Sequence, residues 1–304
     1  MIISASYKTD IPTFYGDWFI NRLRAGYCKT RNRYTQQVQT VSLLPDDVDG
    51  FVFWTKNASP FLGHLQEVRR HGFPFVVQHT INDAPRVLEQ GVVDAMKSVE
   101  HVHRIAQEYG PKVCVWRYDT ILDSSLTPHE YHVETFSRLA KRLAGATDEV
   151  VVSFARFYQK TLKHLNEAAQ VHAFTWSDPS EEWKRSLLVE LSAIAAAYRI
   201  RLTICSHPHL IVAGSNEARC VDVERLSEIG GTALSARLKG NRTDCGCYES
   251  RDIGEYDTCL SGCVYCYAVQ DRRLARERLQ GHDPTSEFLF PPRQESRPTR
   301  GDEP

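Results

Sequence analysis

Six segments of this chain read as β-strands, at residues 1–7, 50–55, 73–80, 112–117, 149–155 and 200–205. Several of them, such as Gly50-Phe51-Val52-Phe53-Trp54-Thr55 and Phe73-Pro74-Phe75-Val76-Val77, are continuous aromatic and β-branched runs. A strand that is apolar on both sides is buried on both faces, as in a parallel sheet covered by crossover connections. The stretches between these runs carry helical spacing. Thr127-Pro128-His129-Glu130 has the form of a capping box, and Val133, Phe136, Leu139, Ala140 and Leu143 follow it as one apolar stripe. Asp178-Pro179-Ser180-Glu181 has the same form with proline at the first helical position, ahead of Trp183, Leu187, Leu188, Leu191, Ile194 and Tyr198. Residues 15–25, 59–71 and 94–109 also read as helices. This alternation predicts an α/β protein with a parallel sheet of about six strands, either open and doubly wound or closed as a barrel.

No internal repeat and no interior linker interrupts residues 1–280. Residues 281–304 hold five of the fourteen prolines amid Gly, Ser and charge, which predicts a disordered tail. Just before it, Asp271–Gln280 reads as a short charged helix with a solvated arginine face. Lys+Arg is 37 against Asp+Glu 38, so bulk charge does not favour a polyanion partner. No apolar run reaches the length of a membrane span, and the N-terminus reads as a strand rather than an export signal, which predicts a cytoplasmic chain without a membrane partner.

Cysteine usage then narrows the chemistry. Five of the nine cysteines fall between residues 245 and 266. An odd number, crowded in this way in a chain expected in the cytoplasm, points to a metal rather than a disulfide framework. Cys259, Cys263 and Cys266 form a C-x3-C-x2-C loop. Three thiolates on one short loop can each hold a different iron of a [4Fe–4S] cube, with Gly262 allowing the turn. The spacing supplies no local fourth ligand and leaves one iron open, by the logic of an open catalytic zinc position. A zinc knuckle is the competing structural explanation. Cys205, Cys220, Cys245 and Cys247 form a second group, open to three readings: an auxiliary [4Fe–4S] cluster, a zinc, or unligated thiols. Cys28 and Cys114 read as ordinary buried cysteines.

C-x3-C-x2-C with Tyr265 directly before the third cysteine resembles the signature loop of the radical S-adenosylmethionine (SAM) superfamily. The chain also resembles an uncharacterised, domain-of-unknown-function group of radical SAM-like proteins whose cluster loop lies near the C-terminus. Residues 4–12, Phe53-Trp54-Thr55-Lys56-Asn57, Trp116-Arg117-Tyr118-Asp119 and Cys245-Gly246-Cys247 through Tyr267-Ala268 carry that likeness, over roughly residues 1–270. A weaker similarity runs to spore photoproduct lyase. The resemblance implies a partial (β/α) barrel over residues 1–280, with the Cys-rich segment 245–267 as its cluster-bearing part.

It further implies an enzyme in which a [4Fe–4S] cluster on Cys259, Cys263 and Cys266 binds SAM and cleaves it reductively. The resulting 5′-deoxyadenosyl radical would abstract hydrogen from a substrate the sequence does not identify. The backbone at Tyr265 would touch adenine, and an external donor such as a flavodoxin or ferredoxin would supply the electron. A nucleic-acid substrate stays open only through the lyase likeness.

Ligands of parallel α/β barrels bind at the carboxyl ends of the strands. Lys8, Thr9 and Asp10, Lys56, His79, Arg117 and Asp119, Arg156 and His207 all follow strands. Lys56, Arg117 and Asp119 are the candidates for SAM contacts. Each residue also has an ordinary structural explanation: solvated Lys56 and Arg156, an Arg117–Asp119 ion pair, hydrogen-bonded scaffold histidines, and Asp10 as a helix cap. The alternative to an enzyme is a zinc or iron–sulfur binding module without SAM chemistry, with nucleic acid left open as its partner.

Overall fold

A computed structural model of the chain describes residues 1–32 and 35–291. Eight strands form one sheet: β1 Ile2–Ala5, β2 Gly50–Thr55, β3 Phe75–Thr80, β4 Cys114–Ile121, β5 Glu149–Phe154, β6 Arg201–Ile204, β7 Ser215–Glu217 and β8 Ser250–Asp252. They lie in the order β7-β6-β5-β4-β3-β2-β1-β8. Every pairing is parallel. The expectation of about six strands is therefore corrected to eight. The two extra strands, Ser215-Asn216-Glu217 and Ser250-Arg251-Asp252, are three-residue polar segments at the sheet edges. Backbone pairing alone defines them, and no apolar run announces them.

Nine helices occur among the described residues: α1 Ile11–Phe14, α2 Gly16–Ala25, α3 Leu62–Arg70, α4 Ala95–Tyr109, α5 His129–Leu143, α6 Gln159–His172, α7 Glu181–Ala197, α8 Val223–Gly230 and α9 Arg272–Gln280. The predicted stripes face the sheet. Phe136, Leu139, Ala140 and Leu143 of α5 are buried, and Phe136 stacks on Trp116 with ring centres 4.7 Å apart. Leu187, Leu188, Leu191 and Ala195 do the same on α7.

Both predicted caps differ from the sequence pattern. Pro128 precedes α5 without a capping side chain, and Thr127 donates instead to the Leu122 carbonyl at 2.6 Å. At α7 the cap is Ser180, which accepts from Trp183 N, while Asp178 pairs with Lys184.

The sheet separates two cores. On the helix side, Ala5, Phe51, Phe53, Phe75, Val77, Cys114, Trp116, Val150 and Val152 pack under the helices, with Phe19 of α2 set edge-on against Phe51 and Phe53. Cys28 and Cys114 are both in this core. On the other side, Ile2, Val52, Val76, Val115 and Val151 meet Cys205, Ala218, Cys220, Val221, Leu226 and Cys247. This alternation follows the two-residue period of strands. The second face is covered mostly by residues 218–248, which contain one helix, α8. Arg225 of α8 donates to the Lys112 carbonyl and to Asp148 and Glu149, tying the helix to the amino ends of β4 and β5.

Part of the segment expected as a disordered tail packs on the body. Trp18 and Arg22 of α2 donate to the carbonyls of Ser286 and Thr285, and Lys29 N donates to Glu287 O at 2.8 Å. Leu289 is buried, and Phe290 lies edge-on to Tyr15. Residues 292–304 of that expected tail lie outside the described residues.

Candidate functional site

The cysteine loop docks where the carboxyl ends of β1, β2 and β3 meet. Gly262, at φ +66°, takes the left-handed conformation that glycine adopts freely. The loop lies along the segment after β3: Gly91 N donates to Ser261 O at 2.9 Å, Val264 N donates to Leu88 O at 3.0 Å, and Glu89 bridges Cys263. A Cβ on Gly91 would stand 2.6 Å from the Leu260 carbonyl, so the loop sits flush against a residue that must have no side chain. Cys263 is buried, whereas Cys259 and Cys266 are partly exposed. The three sulfurs are close enough for Cys259 and Cys266 to raise the Cys263 thiol pKa further, above the large increase that burial already causes. Cys266 Sγ accepts from Ala268 N at 3.3 Å.

Lys56, at the end of β2, reaches this loop. Its ammonium donates to Glu89 at 2.8 Å and lies 5.9 Å from the centre of the Tyr265 ring. Burial works against the charge, but Glu89 and the Cys263 thiol outweigh it and hold the Lys56 pKa above the ordinary lysine value. Burial likewise opposes the Glu89 carboxylate, and Lys56, Tyr265 and Asn82 reverse that effect. Tyr265 donates its hydroxyl to Glu89. Asp10 caps α1 through Thr13 N and also accepts from Lys56 N at 2.9 Å, which fixes the turn that presents Lys56. A groove of about 250 Å³ opens beside the loop, lined by Thr13, Lys56, Asn57, Gln90, Gly91 and Ser261 among others.

The other two candidate SAM contacts lie deeper, on the inner face. Arg117 pairs with Asp119 and donates to Cys220 Sγ at 2.9 Å and Gln78 at 3.3 Å. The second cysteine group is brought together here. Cys205 at the end of β6 lies 3.9 Å from Cys220, sulfur to sulfur. Cys247 lies near enough to Cys220 and Cys245 to shift their thiol pKa values. The Cys247 thiol draws the Cys245 pKa down to about 6, whereas contact with Cys220 and burial push Cys205 up. Arg242 donates to Cys205 Sγ at 3.4 Å and to Ser206 at 2.9 Å.

Asn82 joins the two regions. Its amide donates to Glu89, to Tyr265 and to the Asp119 carbonyl, and its oxygen accepts from Asp119 N at 2.9 Å. Asn82, Glu89 and Arg242 escaped the sequence reading because each sits in a loop with no motif spacing. Their roles come from what the fold sets opposite them.

The remaining strand-end residues are dispersed. Lys8 pairs with buried Asp252, and Arg156 donates to the Ser206 carbonyl. His79 lies on the helix-side face beneath His101, with both ring nitrogens lacking a partner.

Among the described residues, no group of three or more His, Cys, Asp or Glu side chains is arranged to hold a single metal ion. In the second group Cys205 and Cys220 lie 3.9 Å apart, with Cys247 and Cys245 next to them. No helix among the described residues is long and apolar enough to cross a membrane.

A family model described as "Domain of unknown function (DUF1848)" matches residues 2–268. The chain belongs to this family. The match takes in the sheet, both cysteine groups and the Lys56–Glu89–Tyr265 cluster. Comparison with curated proteins returned no match, and neither did comparison with solved structures.

Proposed function

We propose that the chain is a radical SAM enzyme built on a partial (β/α) barrel, with Cys259, Cys263 and Cys266 holding a [4Fe–4S] cluster. The observation that carries this reading is the gathering of three thiols of one short loop at the carboxyl edge of a parallel sheet, beside a buried Lys56–Glu89 pair. Three thiols with no local fourth suit a cubane, whose ligands bind different irons and leave one iron open; a structural zinc would need a fourth protein ligand. The nearest carboxylates, Asp10 and Glu89, are already engaged.

With SAM bound, such a cluster supplies a 5′-deoxyadenosyl radical for hydrogen abstraction from an unidentified substrate. The protein's part is positioning. Gly91 and Ser261 set the loop against the sheet. Glu89 fixes Tyr265 through its hydroxyl, and so fixes the backbone expected to face adenine. Lys56 keeps a positive charge at the groove edge, where a ligand carboxylate would find it. Asn82 holds Asp119 in register with this cluster of side chains. The reading also entails a cytoplasmic setting and an external reductant such as a flavodoxin or ferredoxin.

The test is anaerobic reconstitution followed by dithionite and SAM. The expected result is 5′-deoxyadenosine, lost in Cys259→Ala, Cys263→Ala and Cys266→Ala. An intact cluster that gives none would overturn the proposal. The second reading is a thiolate metal module without SAM chemistry, favoured by the four thiols of the inner group. Zinc without iron or sulfide in protein prepared without air would support it.

A further inference from the structure

The inner cysteines come from three separated stretches: the end of β6, the loop after β7, and the approach to β8. Nothing in local sequence forces them together, yet they meet in one buried place. The 3.9 Å between Cys205 and Cys220 is close to the about 3.8 Å expected between thiolates sharing one tetrahedral ion. Cys247 lies beside them, its sulfur accepting from Val221 N at 3.4 Å.

Charge gives a second, independent argument. Arg117 is 6% exposed in its side chain and faces Gln78, Asp119 and Cys220. Arg242 has no carboxylate within ion-pair distance among the described residues, and it donates to Cys205. Arg242 is partly buried and Arg117 already faces Asp119, but both direct donors at sulfur, and charge-assisted hydrogen bonds of this kind favour thiolates over neutral thiols. Four thiolates around a dipositive centre carry a net charge of −2. Arg117 and Arg242 offset that charge, with Asp119 sharing Arg117.

We infer that Cys205, Cys220, Cys245 and Cys247 form a second metal centre, a closed tetrathiolate site whose negative charge Arg117 and Arg242 balance. Arg117 therefore serves this centre rather than SAM. Four protein sulfurs leave no position for an outside ligand, so the site fastens structure or passes electrons and does not bind substrate. What it fastens is clear from the fold. Residues 231–249 contain no helix or strand, yet they cover the inner face between α8 and β8. The 3.9 Å approach of Cys205 to Cys220 fits a single ion such as zinc; a [4Fe–4S] cluster in its dipositive state has the same thiolate chemistry and charge but holds its sulfurs on different irons, and the test separates them.

The inference does not rest on the SAM reading. A Cys259→Ala/Cys263→Ala/Cys266→Ala triple variant, purified under nitrogen, is analysed for zinc, iron and acid-labile sulfide. The expected result is one centre per chain: one zinc, or iron and sulfide in equal amounts. Adding Cys220→Ala and Cys247→Ala should abolish it. A metal-free triple variant from cells whose wild type carries a cluster would overturn this inference and leave the SAM reading intact. A triple variant that keeps its metal, beside a wild type inert to SAM, would do the reverse.

Because the five-fold variant can fail to fold, wild-type protein is also alkylated under native conditions and mapped by mass spectrometry. Cys205, Cys220, Cys245 and Cys247 should resist until the metal is stripped with a chelator or mercurial. Immediate labelling would overturn the inference. So would protection relieved by reductant alone, which would reveal disulfides.

Discussion

Lys56→Met removes the only ammonium paired with Glu89, and the structure fixes what that should cost. Glu89 is 3% exposed and Lys56 17%. After the substitution the carboxylate keeps Asn82 and Tyr265 as donors but has no countercharge and no route to water. Breaking a buried pair in this way costs about 3–5 kcal/mol. Glu89→Gln leaves the opposite orphan. The Lys56 ammonium lies at the groove and can reach solvent, so the loss should be nearer about 1–2 kcal/mol.

The double variant removes both charges and should cost less than the sum by at least about 1 kcal/mol. Urea denaturation of the four proteins at equal metal content gives the cycle. Two results would refute the reasoning: a Glu89→Gln loss as large as that of Lys56→Met, or strictly additive losses. Either would mean that Glu89 is solvated or that the pair is not a unit.

Gly91→Ala should lower iron retained at the cysteine loop several-fold, since the new Cβ would meet the Leu260 carbonyl at 2.6 Å. Gly63→Ala, in α3 with open space around it, is the control and should stabilise by about 0.5–1 kcal/mol with iron unchanged. Arg225→Met should cost about 3 kcal/mol, because Glu149 and Asp148 lose their shared partner; iron content at the loop, at the other end of the strands, should not change.

His132 is buried against Tyr118 and Leu122, and burial pushes its pKa down to about 4. The unfolded chain takes up that proton near pH 6.5 and the folded chain does not. Its contribution is therefore complete above about 6.5 and is lost as pH falls from there toward 4. His132→Gln should flatten the decline in urea midpoint across that window, and an unchanged slope would assign the decline to other groups.

What the sequence made legible followed burial. The six apolar strands are where the runs of Phe, Val and Ile placed them, and the stripes of α5 and α7 face inward, because burial on a fixed period leaves a direct trace in residue order. The edge strands β7 and β8 did not, since Ser, Asn, Glu, Arg and Asp become strand there only through a partner's backbone. The capping residues misled for a related reason. Thr127 found a better acceptor in Leu122 O, a tertiary contact that no local pattern encodes.

The same division holds at the site. C-x3-C-x2-C is local and was readable, as was the return of Gly262 through a left-handed turn. Cys205, Cys220, Cys245 and Cys247 were grouped from the sequence, but the 3.9 Å approach of Cys205 to Cys220 and the arginines set against them come only from the fold. The Asn82–Glu89 hub and the Arg242 contact with Cys205 left no sign at all, because each matters through a residue distant in sequence. Arg117 was read as standing at its strand's end, but β4 runs on to Ile121 and holds Arg117 within it, facing the inner side, where its partners are Cys220, Gln78 and Asp119 rather than the loop.

The pairing of β1 with both β2 and β8 sets an order on biosynthesis. As the chain leaves the ribosome, its first strand finds one neighbour early and then presents a bare edge until residues 250–252 emerge. The thiols of the loop follow only a few residues later. Any inorganic cargo they accept is therefore delivered after every strand of the sheet has emerged, and a nascent chain stalled before that point exposes both an unsealed flank and an empty cradle.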